Sequence, residues 1–282
     1  MTDLLVGFGL VALIAVLLFA ATVRLVRSWP VRRICLVGFA VMLVLGWYLI
    51  WGCELSFWSR LLPLSNLVVI GNLVPLCCAV LAGLARVTSP GSPRRRAIPV
   101  LAILGLGLFA TVKPMLGQPP PCGDLWSDGI CFQSSTVTCT AASAATLLRE
   151  HGISATEAEM AGLCLTRKGT GWKGLFRGLT LKTRGTEWTV SVRDFSFEQL
   201  RNEHGPLILD VGVPLGATVP AIYTTEYGWQ PGILHSVIFF GFRDGDRVSI
   251  AEPTPGVGRE EWSAEDLRIL FRGRAYQLSK RR

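Results

Sequence analysis

The chain has 282 residues, half of them apolar and only 17% charged, with a formal net charge of +8. That balance excludes an ordinary soluble enzyme, which carries less apolar and more charged sequence. It excludes nucleic-acid binding by bulk charge as well. Up to Leu116 there are ten basic and two acidic residues, and from Gly117 onward eighteen of each, so the excess follows membrane topology and not a basic face on a folded domain.

Residues 1–116 read as a membrane region with four apolar stretches, 4–23, 34–52, 66–85 and 97–116. Each is about 20 residues, enough at ~1.5 Å per residue to cross a hydrocarbon core of ~30 Å. The first two carry no charge, the third is interrupted by Asn66, Asn72 and Pro75, and the fourth holds only Lys113. Asn66, Asn72 and Pro75 hint at helix–helix contacts within the bilayer, but a plain anchor is the preferred reading. Arg24, Arg27, Arg32 and Arg33 fill the first loop, and Arg86, Arg94, Arg95 and Arg96 the last; the middle loop, 53–65, sets Arg60 against Glu54. Short arginine-rich loops stay in the cytoplasm. The N-terminus and everything after Leu116 are therefore expected on the extracytoplasmic side of a bacterial inner membrane. Asp3 before the first stretch and arginines after it reverse the charge order of a cleaved signal peptide.

Residues 117–121 contain three consecutive prolines and read as a stiff linker; 122–282 is long enough for one domain with its own core. In chain order, the Ala/Leu-rich run 138–151 predicts a helix stopped by Gly152. A short helix follows at 156–163, with Ser154 as its cap, and a third at 173–179, weakened by two glycines. Strands are expected at 187–192, 206–213, 234–242 and 247–251, the last pair joined through an Asp244-Gly245-Asp246 turn. Residues 264–271 predict a terminal helix. Helices first and strands second indicate an α+β domain.

Cys35, Cys53, Cys77 and Cys78 lie in or beside the apolar stretches and read as small fillers. Cys122 and Cys131 flank a turn-rich segment and are either a bridge, which an oxidising compartment permits, or two free thiols; Cys164 has no assigned role. Cys139 opens a helix, where unpaired N–H groups and the positive dipole end stabilise a thiolate. Gln133, six residues upstream, is placed to join the Cys139 N–H in holding an oxyanion. His235 begins an apolar β-rich run, where an unpartnered imidazole is costly. Glu252 follows seventeen residues on, and a hairpin would bring it beside His235. His151, at a helix end, reads as structural, and His204, in a polar turn, as solvated.

Together these residues resemble the bacteriocin-processing cysteine peptidase family, which removes double-glycine leader peptides. Gln133-Ser-Ser-Thr-Val-Thr-Cys139 has the family's spacing, and the alanine-rich helix ending at His151-Gly152 follows it. Lys168-Gly169-Thr170-Gly171-Trp172, Gly232-Ile233-Leu234-His235 and Ala251-Glu252-Pro253 match the later motifs, so the likeness spans about residues 131–278. It departs from the pattern at Thr138 and Thr140, where the family has an acidic residue and Gly, and at Glu252, where it has Asp. What the resemblance implies is a papain-like fold in which Cys139 is the nucleophile, His235 the base, Glu252 the orienting acid and Gln133 the oxyanion donor.

The expectation is thus a four-helix transmembrane region followed by an α+β papain-like domain, acting as a cysteine endopeptidase on extracytoplasmic peptides or proteins. Its partners are a peptide substrate and the lipid bilayer, not nucleic acid. The chain has no Gly-x-x-x-x-Gly-Lys-Ser/Thr pattern and so no signal for a nucleotide; three scattered histidines give none for zinc, and no cofactor is called for. Two alternatives share the fold: an acyltransferase of transglutaminase or amidase type using the same triad, and a non-catalytic sensor or binding module.

Overall fold

The first apolar stretch, flanked by Asp3 in the first turn and Arg24 in the last, forms α1 (Thr2–Val26). Pro30, with φ fixed near the helical value, leads into α2 (Val31–Ile50). In the third stretch, Leu67–Ile70 makes a single helical turn before the chain restarts as α3 (Val74–Thr88) with Pro75 in its first turn; α4 (Pro93–Val112) follows. These elements belong to one compact unit, Met1–Leu116, and the rest of the chain, Gly117–Arg282, to another. The computed structural model describes residues 1–243 and 246–281.

The break before α3 was not visible as an interruption in hydropathy. Its polar backbone groups are met by side chains: Tyr48 Oη donates to Gly71 O at 2.7 Å, Asn72 Nδ2 donates to Ala110 O at 3.0 Å, and Val74 N donates to Asn72 Oδ1 at 3.1 Å. A non-helical segment among apolar helices needs such partners because apolar surroundings supply none. The third segment is also the centre of this unit: over half of its apolar window (56%) is buried, against 11–17% in the other three. Small residues let backbones approach there. A methyl group at Gly83 would sit 2.8 Å from Thr22, and one at Gly107 3.0 Å from Cys78. Leu13, Leu17, Phe39 and Leu101 stay exposed on the outer faces. Among the described residues four helical segments, the third counted as Leu67–Thr88 across its break, are long and apolar enough to cross a membrane.

The second unit opens with a hairpin, β1 (Leu125–Ser127) and β2 (Ile130–Phe132). Its two-residue turn, Asp128-Gly129, takes positive φ at both positions (49° and 80°), the geometry that matches strand twist and favours this dipeptide. Three helices follow, α5 (Cys139–Glu150), α6 (Glu157–Leu163) and α7 (Trp172–Lys182). Thr156, not Ser154, caps α6, its hydroxyl accepting from Glu159 N at 3.1 Å. Then come β3 (Trp188–Asp194), β4 (Leu207–Val211), β5 (His235–Arg243), β6 (Arg247–Glu252), β7 (Gly258–Ser263), α8 (Ala264–Leu270) and β8 (Phe271–Lys280). The predicted turn residues Asp244 and Gly245 between β5 and β6 lie outside the described residues. The sheet runs β3-β8-β4-β5-β6-β7, every pair antiparallel. Leu207, Leu209 and Val211 of β4 share a core with Phe239, Ile250, Leu267 and Leu270, while α5 packs against β4 and β5.

The two glycines that weaken α7 by propensity are what seat it. A Cβ at Gly174 would lie 2.2 Å from the Cys164 carbonyl oxygen, and one at Gly178 2.2 Å from Cys164 Sγ. Cys164 is thus a buried filler against a helix with no side chain at the contact, and burial pushes its thiol up to about 12. Gly178→Ala should destabilise the second unit by about 1–3 kcal/mol through overpacking. Cys164→Ala in the same chain should recover part of that loss. Chemical denaturation of the two variants checks it; an unaffected Gly178→Ala protein would contradict this packing.

Candidate active site

A helix buried on one face needs an apolar stripe, but α5 is buried all round: every residue from Cys139 to Leu148 is enclosed. Four alanines, Ala141, Ala142, Ala144 and Ala145, make that possible, since small side chains let neighbours close on every face. The polar residues among them are each satisfied. Thr140 Oγ1 and Ser236 Oγ share a hydrogen bond at 2.9 Å, Ser143 Oγ donates to Ser236 O at 2.9 Å, and Thr146 Oγ1 accepts from Cys131 N at 2.9 Å while donating to Ala142 O at 3.1 Å. Ser236 is the residue after His235, so the start of α5 is tied to the start of β5. At the far end Gly152 takes φ +73° and donates its N–H to Arg149 O at 2.9 Å, closing the helix.

The first turn of α5 has no side-chain cap. Thr138 directs its hydroxyl away from the helix, accepting from Ser135 N and donating to Ser135 O, both at 3.0 Å. The N–H groups and positive dipole end of that turn are left to act on Cys139. The threonine on either side of Cys139 therefore has a definite partner: one folds the preceding loop, the other joins the helix to the histidine strand.

His235 Nε2 lies 2.6 Å from Glu252 Oε1. The two side chains come from the first residue of β5 and the last of β6, neighbouring strands of the sheet. Glu252 is fixed in turn, accepting from Thr254 N at 3.0 Å and Thr254 Oγ1 at 2.7 Å. With Nε2 engaged by the carboxylate, Nδ1 is the ring nitrogen left to act on Cys139, whose thiol responds to His235. Burial alone would raise the Cys139 thiol, but the hydrogen bond and charge of His235 outweigh it and the thiol falls below its ordinary value. Burial likewise opposes the His235 imidazolium, but Cys139 and Glu252 together lift it to about 10. Glu252 is held below the usual carboxylate range: burial works against this, and His235 and Thr254 overcome it.

Gln133 lines the same cleft as His235 and Glu252. Its backbone N–H donates to Pro253 O at 2.7 Å, one residue from Glu252. Its side-chain Oε1 is buried with no hydrogen-bond partner, so no protein group ties down that end of the amide. The adjacent Ser134 is clamped by Glu157, fully buried, whose two oxygens accept from Ser134 N at 2.7 Å and Ser134 Oγ at 2.5 Å. Glu157, Thr140, Ser236 and Thr254 position the site and were not identified from the sequence. Thr254 and Ser236 carried a signal, each lying within two residues of a site residue; Glu157 carried none.

The cleft has a volume of about 710 Å³. Cys139, 7% exposed, is not among the residues that line it, whereas Gln133, His235 and Glu252 are. A separate depression of about 600 Å³ is lined by Phe242, Arg243, Arg247, Ser249 and Glu261. It holds no thiol or histidine, and its Arg247–Glu261 pair closes at 2.6 Å. His151 is structural in its contacts, with Nδ1 2.8 Å from Leu147 O and its ring edge-on to Trp188. Cys122 and Cys131 do not form a bridge: both are free, Cys131 buried on β2 and Cys122 directing its Sγ toward Pro120 O at 3.4 Å. Burial pushes their thiols up to about 12 and about 11. Among the described residues no group of three or more His, Cys, Asp or Glu gathers to hold a metal ion.

Solved structures similar to this chain are double-glycine (C39) peptidase domains, the class that its motifs resemble. One is a double-glycine motif protease from an AMS/PCAT transporter in complex with the leader peptide, 18% identical, TM-score 0.41, covering 54% of this chain and 91% of that one. Another is the peptidase domain of Streptococcus ComA, a bifunctional ABC transporter involved in quorum sensing, 18% identical, TM-score 0.41, covering 53% and 96%. A third is the N-terminal C39-like domain of a toxin secretion ATP-binding protein from Vibrio parahaemolyticus, 12% identical, TM-score 0.37, covering 52% and 100%. No family model and no curated protein matches the chain.

The two shifts fix a pH window for thiol reactivity. A lowered thiol ionises below the ordinary range of about 8.5, and a raised imidazole keeps its proton until about pH 10. Iodoacetamide labelling of Cys139, read by mass spectrometry of its peptide, should therefore start below the ordinary thiol range and hold its rate to about pH 10. In His235→Ala burial is opposed only by the weaker effects of Ser236 and Thr140, so the onset should move to higher pH and labelling at neutral pH should fall by about tenfold or more. An onset that does not move would separate the thiol from the ring.

Proposed function

We propose that the chain is a membrane-anchored cysteine peptidase with a papain-like outer domain. Cys139 would be its nucleophile, His235 its base and acid, Glu252 the group that orients the ring, and Gln133 the side-chain oxyanion donor. One observation carries the reading: the 2.6 Å contact between His235 and Glu252 leaves the other ring nitrogen to a lowered thiol at an uncapped helix start. Buried structural cysteines in the same chain have raised thiols.

In this reading the Cys139 thiolate attacks the scissile carbonyl carbon, and the oxygen takes up negative charge between the Cys139 N–H and the Gln133 amide. The imidazolium gives its proton to the departing amine as the C–N bond breaks, leaving a thioester on Sγ. Water then attacks the thioester carbonyl, losing a proton to the ring. The acid product leaves and the thiolate–imidazolium pair is restored. Glu252 keeps its charge throughout and stabilises the imidazolium electrostatically.

The N-terminal unit would anchor the enzyme through its four long apolar helices. Arginines concentrated between the first two and the last two apolar stretches favour a cytoplasmic position for those loops, which puts the peptidase domain and its substrates outside. Reporter fusions test this: alkaline phosphatase joined after Gly117 should be active, and joined within residues 89–92 inactive. The reverse pattern would place the domain in the cytoplasm.

Cleavage of a peptide library by the full chain in detergent should vanish in Cys139→Ala. Gln133→Ala should lower kcat by about 10²–10³-fold, as loss of one oxyanion donor does, with a much smaller change in KM. Glu252→Gln keeps the length and removes the charge, and should shift the alkaline limb of the rate profile to lower pH. Absence of both cleavage and active-site labelling in a folded, reduced chain would instead favour a non-catalytic module.

A further inference from the structure

Beyond the His235–Glu252 pair, the cleft carries charge of one sign. Among its lining residues there is no lysine or arginine, but there are five carboxylates. Two are matched: Glu252 by His235 and Glu261 by Arg247 at 2.6 Å. Three have no basic partner. Glu260 accepts from Trp262 Nε1 at 2.8 Å; Asp266 accepts from Tyr223 Oη at 2.5 Å and caps the helix start at Ser263; Glu226 is exposed on the loop before β5. The carboxylates stand beside aromatic rings that reach the catalytic histidine. Trp229 lies edge-on to His235 with centroids 5.8 Å apart, and edge-on to Trp262 at 6.0 Å. A water-exposed wall of indole and unpaired carboxylate is the chemistry that recognises an organic cation.

We propose that this cleft selects peptides carrying a lysine or arginine side chain close to the scissile bond, with the cation held among Trp229, Trp262, Glu226, Glu260 and Asp266. The inference rests on the peptidase reading and names its substrate class. The size of the cleft argues for a side chain presented on a peptide, because a volume of about 710 Å³ is that of a site for a drug-sized ligand and a small free amine leaves most of it unfilled. The single-signed wall also disfavours acidic peptides, since a carboxylate there meets three others without a counter-charge.

The test uses the purified full chain in detergent and two peptidyl acyloxymethyl ketones, identical except for arginine or citrulline beside the electrophile. Citrulline keeps the shape and removes the charge. The arginine probe should label Cys139 about tenfold faster at low salt, with the ratio shrinking as salt rises, and it should fall to about threefold or less in the Glu226→Gln/Glu260→Gln protein. The salt dependence and the probe pair need no variant, so the outcome stands even where the double substitution harms folding. Equal rates for the two probes overturn this inference and leave the peptidase reading intact. Labelling by neither probe overturns both. If methylamine competes as well as an arginine peptide for the tryptophan-lined cleft of Cys139→Ala, read by indole fluorescence, the cleft binds amines as such and the peptide side-chain specificity is overturned.

Discussion

Burial opposes every charge at this site, and the site exists because three groups cancel that opposition for one another. Desolvation is the largest influence on Cys139, His235 and Glu252 alike, and in each case it favours the neutral form. Each nevertheless moves toward its charged form because its partner is charged. A buried ion pair is costly unless its geometry is good and its remaining polar atoms are satisfied. Here Thr254 supplies two hydrogen bonds to Glu252, and the uncapped first turn of α5 faces the thiolate. Removing one partner leaves the others as uncompensated buried charge, so the ionisation of each group depends on the other two.

That condition explains several otherwise odd features of the surrounding fold. The thiol and the ring sit on different elements, a helix start and a strand start, and must be held in register. The Thr140–Ser236 hydroxyl pair does this within one residue of both Cys139 and His235, and Ser143, one turn further along the helix, donates to Ser236 O. The helix itself is buried on all sides because only a fixed helix fixes its first residue, and alanine is the side chain that permits such close packing. On the opposite wall, Glu157 clamps Ser134 and Pro253 O receives the Gln133 N–H, so the loop carrying the amide is tied both to α6 and to the segment after Glu252. The departures from the family pattern fit this scheme. Thr138 and Thr140 have structural hydroxyl partners, and the extra methylene of Glu252 is accommodated at 2.6 Å from the ring.

Much of this arrangement was legible in the sequence where a local rule coincided with the global one. The alanine run with its terminal glycine, the β-rich segments around His235 and Glu252 and the apolar stretches all formed elements near their expected positions. The parts that escaped are those in which local signal and final structure conflict. β7 reads Gly-Arg-Glu-Glu-Trp-Ser and lies on the sheet edge, where only Gly258 is buried and no apolar alternation exists. β8 begins where a helix was expected to end, because Phe271 belongs to the strand and not to α8. β1 and β2 are three residues each, too short for a period-two pattern, although Asp128-Gly129 was a hairpin signal in plain view. The glycines of α7 count against a helix by propensity and for it by packing, and only the position of Cys164 decides between them.

The same conflict marks the third apolar stretch. By mean hydropathy it is one apolar run interrupted only by Asn66, Asn72 and Pro75; by structure it is a single turn, a break at Gly71–Leu73 and then α3. What stabilises the break is distant in sequence, since Tyr48 and the Ala110 carbonyl come from the second and fourth helices. A break among apolar helices costs unmatched backbone groups unless its neighbours supply partners, so these polar contacts fix a specific arrangement of the helices. Asn72 serves both sides of that constraint, its amide N–H₂ donating to the fourth helix and its oxygen accepting from the start of the third. Sequence reading assigned Asn72 to helix–helix contact from its polarity alone; the structure adds that the contact is made through backbone that the break itself exposes.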